Sequence, residues 1–180
     1  MVWSYLFRRE IIASNGLFFP EGHMIEDAGY NLRVFLHSNR IAVVNNEVYC
    51  YRNRSTSIMH NQNTEHLTKI LDDYIWAASK VDTLIDEFKD VLHGESYKRC
   101  RSQRDSYLFF GMARALKLGQ VQMFIAKAKE QGLYPFKRMI ESDYPGIKFT
   151  VLHWCMNKPW LWNMMSKVYR LVNRLKSIWV

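Results

Sequence analysis

Glu26 and Asp27 are adjacent carboxylates, a residue type able to move a proton. A carboxylate within hydrogen-bond reach of a hydroxyl can take its proton while the oxygen attacks an electrophile. The pair sits among Ile25, Ala28, Gly29, Leu32, Phe35 and Leu36, whose i, i+3, i+4, i+7 spacing predicts a helix with one buried stripe. Both acids then fall in its first turn, off that stripe. A helix N-terminus stabilises the anion, which weakens it as a base unless burial or the neighbouring carboxylate offsets the effect. Spacing alone leaves a plainer role open, because acids in first turns often do no more than favour the helix dipole.

Arg52, Arg54, Ser55 and Ser57 form a second group. Arginine grips phosphate oxygens with two parallel bonds, and hydroxyls add further hydrogen bonds. A solvated polar loop would show the same composition. His60 has the chemistry to meet a phosphate or a metal, although a lone histidine after a loop is usually incidental. Trp3 offers a flat face on which a sugar ring can stack, and a place in the core is the more common outcome for tryptophan.

The elements that must hold these residues are legible in outline. Val2 to Ala13 reads as a short helix closed by Ser14-Asn15-Gly16, and Leu17-Phe18-Phe19 leads into a Pro20-Glu21-Gly22 loop. After the acidic-pair helix, Ile41 to Val44 and Glu47 to Tyr51 read as two strands joined at Asn45-Asn46, a pair suited to a tight hairpin turn. A polar loop follows to Asn63.

Everything beyond is expected to be helical. One stripe runs from Leu67 through Ile70, Leu71, Tyr74, Ile75, Ala78 and Val81 to Phe88. Further helices are expected from Ser96 to Leu118, stopped by Gly119, and from Gln120 to Gln131, stopped by Gly132. Leu133-Tyr134-Pro135-Phe136 and Asp143-Tyr144-Pro145-Gly146 read as breaks. A last helix spans Trp160 to Trp179, with Leu161, Met164, Met165, Val168, Val172, Leu175 and Trp179 on one side and Lys167, Arg170 and Arg174 on the other. The expected class is α+β, mostly α, with an α/β piece at 1–62 and a helical extension at 63–180.

Totals narrow the function classes. With 180 residues, 48% of them hydrophobic, the chain can bury one core, and wholesale disorder is excluded. It has no uncharged apolar run of the length that crosses a bilayer. Arginines follow rather than precede the first apolar residues, which argues against a secretory signal. Cys50, Cys100 and Cys155 have neither zinc spacing nor an even count, so buried thiols in a reducing cytosol are expected. The net charge of +8 favours an anionic partner. Nucleic acid ranks last among such partners, because the basic residues are scattered and no helix-turn-helix or RNP-like pattern is present.

Five features in order carry a resemblance: the Trp3-led helix, Phe19-Pro20-Glu21-Gly22, Glu26-Asp27, Tyr49-Cys50-Tyr51-Arg52, and the Arg54-to-Ser57 loop. Over about the first 60 residues this order resembles the acceptor-side half of bacterial family 2 glycosyltransferases, which have the GT-A fold. The resemblance implies sugar transfer from a nucleotide-sugar to a hydroxyl of a glycan or lipid-linked acceptor, with inversion, in surface polysaccharide synthesis. It implies Asp27 as base, Glu26 as its positioning neighbour, and an acceptor or diphosphate contact for Trp3, Arg52, Arg54, Ser55, Ser57 and His60. A complete enzyme of this kind carries an Asp-x-Asp segment holding Mn2+ or Mg2+ beside the donor. No Asp-x-Asp occurs here, so the resemblance implies a fragment without the donor-binding half, inactive alone.

The basic, Trp-rich last helix at 160–179 matches a helix lying on an anionic membrane surface. A cytoplasmic chain, peripheral on the inner membrane face, is the expectation. Unpaired strand edges would favour a homodimer. The competing expectation is a non-enzymatic helical module that binds a membrane surface or a protein.

Overall fold

A computed structural model describes residues 2–47, 49–50, 52, 63–137 and 146–176. Among them the chain is mostly helical, with seven α-helices and no strand. Two short helices come first, α1 at Arg9–Ser14 and α2 at Tyr30–Leu36. Three longer ones follow at Thr64–Glu87 (α3), Gly94–Leu118 (α4) and Val121–Glu130 (α5). The last pair are α6, Ile147–Met156, and α7, Pro159–Lys176.

Helix α3 starts where Asn63 turns its side-chain oxygen onto the backbone N–H groups of Glu65 and His66, at 2.8 and 3.4 Å. This supplies two of the donors that a helix start leaves unpaired. Its apolar stripe is buried as the spacing predicts. Leu71, Ile75 and Ala78 meet Leu108, Met112 and Ala115 of α4 and Phe124, Ile125 and Ala128 of α5. Gly119 ends α4 in the left-handed region, at φ 71°. Gly111 in mid-α4 has a different purpose. A Cβ there would lie 2.6 Å from the Phe124 ring and 2.9 Å from the Tyr74 Cβ, so only glycine lets the three helices come this close.

Two smaller clusters attach the N-terminal segment. Leu32 and Leu36 of α2 pack on Val81, Ile85, Leu92 and Cys100, while Tyr30 and Val34 close over Leu17, Phe7 and Ile11. Helix α2 is therefore buried along two lines rather than one.

Between α3 and α4 lies a buried polar clip. Arg104 donates from Nε to Asp105 Oδ1 at 2.8 Å and from Nη1 to Asp82 Oδ1 at 2.7 Å. Burial pushes the Asp105 carboxyl above its ordinary value, with Arg104 pulling the other way. Burial also acts to lower the Arg104 guanidinium, but the two carboxylates outweigh it and hold it above its ordinary value.

Several expectations are corrected. The hairpin at 41–51 is absent from the described residues: Ile41 to Glu47 have no regular structure, and Ile41, Val43 and Val44 are exposed. A lone two-stranded hairpin is marginal in water, and no strand among the described residues supports this one. The first helix is not continuous from Val2 to Ala13. A 3-10 turn at Val2–Ser4 gives way to irregular chain before α1. Tyr5 there sets its ring edge-on to Phe35 at 5.0 Å, and Phe7 reaches Tyr30. The acidic-pair helix begins only at Tyr30, because Gly29 takes φ 73° and its left-handed turn breaks the run.

Leu133 to Phe136 breaks the helical run as expected, but it is packed rather than linker-like. Leu133 and Phe136 are buried, and Asn157 both accepts from the Phe136 N–H at 2.9 Å and donates to its carbonyl at 3.0 Å. Of the cysteines, Cys100 and Cys155 are buried as expected, but Cys50 is exposed. Burial raises the Cys100 thiol above its ordinary value. No helix among the described residues is long and apolar enough to cross a membrane.

Candidate functional site: a cleft between the acidic turn and α3

One side of α3 organises the site. Lys69, Asp73 and Trp76 follow one another at i, i+4 and i+7 and all take hold of the loop at 22–24. Lys69 Nζ donates to the Gly22 carbonyl. Asp73 is almost fully buried; it accepts from His23 Nδ1 at 2.8 Å and from the Met24 N–H at 2.6 Å. An ionised carboxylate can only accept, so in this contact Nδ1 of His23 is the donor. The imidazole also stacks on Trp76, with ring centres 3.7 Å apart.

Pinned in this way, the loop delivers the next residues to one wall of a cleft of about 320 Å³. Residues 24–29 form a succession of turns, in which the Ala28 N–H donates to the Ile25 carbonyl and the Tyr30 N–H to that of Asp27. Glu26 lines the cleft with Phe18, Tyr30 and Arg33, and α3 contributes Trp76, Lys80, Thr83 and Glu87 from the other side. The buried Nε of Arg33 has no hydrogen-bond partner among the described residues.

The chemistry of the lining is specific in kind. Two carboxylates, Glu26 and Glu87, are matched by two cations, Arg33 and Lys80. Aromatic faces lie beside them, and Thr83 adds a hydroxyl. A charge-balanced wall of donors and acceptors next to flat rings suits a neutral, polyhydroxylated ligand. A strongly anionic ligand would meet repulsion from two of the four charges.

The expected site residues do not all converge. Glu26 lines the cleft, whereas Asp27, half-buried in the same turn, is not among the lining residues. Neither lies in the first turn of a helix, so the dipole no longer bears on them in that way. Trp3 stands apart and partly exposed, its ring 5.8 Å from that of Tyr49. Arg52 is exposed in irregular chain, away from the cleft. Arg54, Ser55, Ser57 and His60 lie outside the described residues. The described residues include no group of three or more His, Cys, Asp or Glu side chains able to hold a cation, so the Mn2+ or Mg2+ of a complete enzyme finds no ligand set among them.

Asp73 and Trp76 are the residues that sequence reasoning passed over. Asp73 had a legible signal: it lies three residues after Ile70 and four before Ala77, both buried, so an acid occupies the apolar face. Acids on such a face are almost always paired. No protein-family model, characterised protein or solved structure matches the chain.

Proposed function

We propose that this chain supplies the acceptor side of a sugar-transfer reaction and that its cleft takes a neutral glycan acceptor. The observation that carries the proposal is the meeting of Glu26, Arg33 and Trp76 in one cleft. Trp76, half-buried in the cleft wall, gives a flat surface for the apolar face of a sugar ring. Arg33, Lys80 and Thr83, which line the cleft, orient hydroxyls. Glu26 takes the proton of the reacting hydroxyl as its oxygen bonds to the anomeric carbon of a nucleotide-sugar and the bond to the diphosphate breaks, with inversion. Asp27, next in the chain, supports the turn that aims Glu26. The donor and its divalent cation belong to a site that these residues do not form, as in the family 2 glycosyltransferases that the sequence resembles.

The test is a titration with neutral and acidic oligosaccharides, followed by saturation-transfer NMR and tryptophan fluorescence. Neutral sugars are expected to bind, and Trp76→Ala to weaken them by about tenfold, as the loss of a stacking surface implies. In a polypeptide that also carries a donor site, Glu26→Gln is expected to leave acceptor binding within about twofold and to lower transfer by 10² to 10⁴, the usual range for a general base. Failure of every sugar to bind, or binding untouched by Trp76→Ala, refutes the proposal.

A second reading, a non-enzymatic interaction module, is favoured by the exposed apolar side chains on α6 and α7. It predicts no ligand in the cleft.

A further inference from the structure

Helices α6 and α7 bury only part of their apolar residues. Cys155, Met156 and Trp162 enter the main core, joined by Phe149, Leu152 and Leu161. Ser166 Oγ donates to the Leu116 carbonyl of α4. A second set is left in water. Ile147, Val151 and Trp154 follow i, i+4, i+7 along α6, and Trp160, Met164, Val168 and Leu171 continue at helical spacing along α7. Each is between 51% and 82% exposed. These are lines on two successive helices rather than scattered residues, which is the pattern of a contact surface.

Charge says what the surface meets. Residues 146–176 contain Lys148, Lys158, Lys167, Arg170, Arg174 and Lys176 and no Asp or Glu. Most of the +8 carried by the whole chain therefore lies in this one segment. Lys158 stands at the junction of the two helices with its ammonium 5.8 Å from the Trp154 ring, so cation and apolar surface occupy the same spot. Lys167 is exposed one residue before Val168.

We propose that the α6–α7 pair docks on an anionic lipid surface, with the exposed apolar lines entering the acyl boundary and the lysines at headgroup level. A second copy of the chain would bring two acid-free basic segments together, at a cost in repulsion. Nucleic acid would satisfy the lysines and leave Ile147, Val151 and Leu171 in water. A bilayer with acidic headgroups meets both needs, and tryptophan with lysine is the usual pairing at that depth. The glycan cleft is formed by α2, α3 and the loop before them, so this surface stands whether or not the cleft binds sugar.

Co-sedimentation of the full chain with phosphatidylcholine vesicles, with and without phosphatidylglycerol, tests the proposal. Binding is expected to the anionic vesicles and to fall steeply as salt rises. Lys158→Glu with Lys167→Glu is expected to cut it more than tenfold, since each basic residue near the surface contributes about fivefold. Leu171→Glu, at an exposed position, is expected to cut binding with no change in far-UV circular dichroism or thermal midpoint. Equal binding to both vesicle types, or no binding to either, overturns the proposal. So does a dimer in sedimentation equilibrium that Leu171→Glu dissociates, because the face would then belong to a second copy.

Discussion

Replacing Gly111 by alanine adds one methyl group at a point on α4 where Tyr74 of α3 and Phe124 of α5 meet it. That carbon would fall 2.6 and 2.7 Å from two atoms of the Phe124 ring and 2.9 Å from the Tyr74 Cβ. Ordinary carbon contacts begin near 3.5 Å, so both neighbours must yield by several tenths of an ångström or more. Phe124 is fully buried and has no empty side to turn towards. Tyr74 meets the new methyl with its Cβ, which is fixed to the α3 backbone, so the helix itself has to shift. Overpacking of this kind costs about 3 kcal/mol, the upper end of the usual range. Alanine in place of glycine returns about 1 kcal/mol in helix propensity. The net loss is about 2 kcal/mol, or a fall of about 4–8 °C in thermal midpoint for a chain of this size. Circular dichroism at 222 nm during heating, with urea unfolding as a second measure, reads the change. Phe124→Leu in the Gly111→Ala background should recover part of the loss, giving a favourable coupling of about 1 kcal/mol in the double-mutant cycle. A higher midpoint for Gly111→Ala would mean that propensity alone operates and that the close packing at this point is wrong.

The Arg104–Asp105 clip predicts a pH dependence. Burial raises the folded-state value of Asp105 above its unfolded one, so this group's contribution is complete below about pH 4 and is lost as pH rises through the raised value. The stability of the wild type relative to Asp105→Asn should therefore shrink from pH 3 to pH 7 in urea titrations. An advantage that grows with pH would mean that the charge of Arg104 outweighs burial. For the loop, Asp73→Ala leaves the Met24 N–H and His23 Nδ1 without their acceptor. It should cost about 1–3 kcal/mol and speed hydrogen exchange at the Met24 amide, and unchanged exchange there would refute the anchoring role.

What was legible followed from periodicity and from glycine stops. The α3 stripe, the end of α4 at Gly119 and the extent of α5 follow from residues that act locally. The failures have a common physical cause. Apolar, largely β-branched residues at 41–44 and the segment 47–51 suit strands, but a strand needs neighbours, and sequence does not say whether they exist. Tyr5 and Phe7 could have continued a helix; in the fold they lie in irregular chain, in contact with Phe35 and Tyr30, distant in sequence. Pro135 marked a break, yet the flanking Leu133 and Phe136 sink into the core because Asn157 satisfies the backbone there. At the site, the acidic pair was visible and its partner wall was not. Trp76, Lys80, Thr83 and Glu87 come from α3, some fifty residues later, and only the fold brings them opposite Glu26.

The three grips of α3 on the loop at 22–24 make the cleft a mechanical follower of that helix. Because Lys69, Asp73 and Trp76 share one line on its surface, a turn of α3 about its axis by the width of a single residue, about 100°, would carry all three away together. Tyr74, on the opposite side of the same helix, is where Gly111 and Phe124 press on α3. A shift of α3 forced from that side would therefore carry the loop, and Glu26 with it, so core packing and cleft shape are linked through one helix.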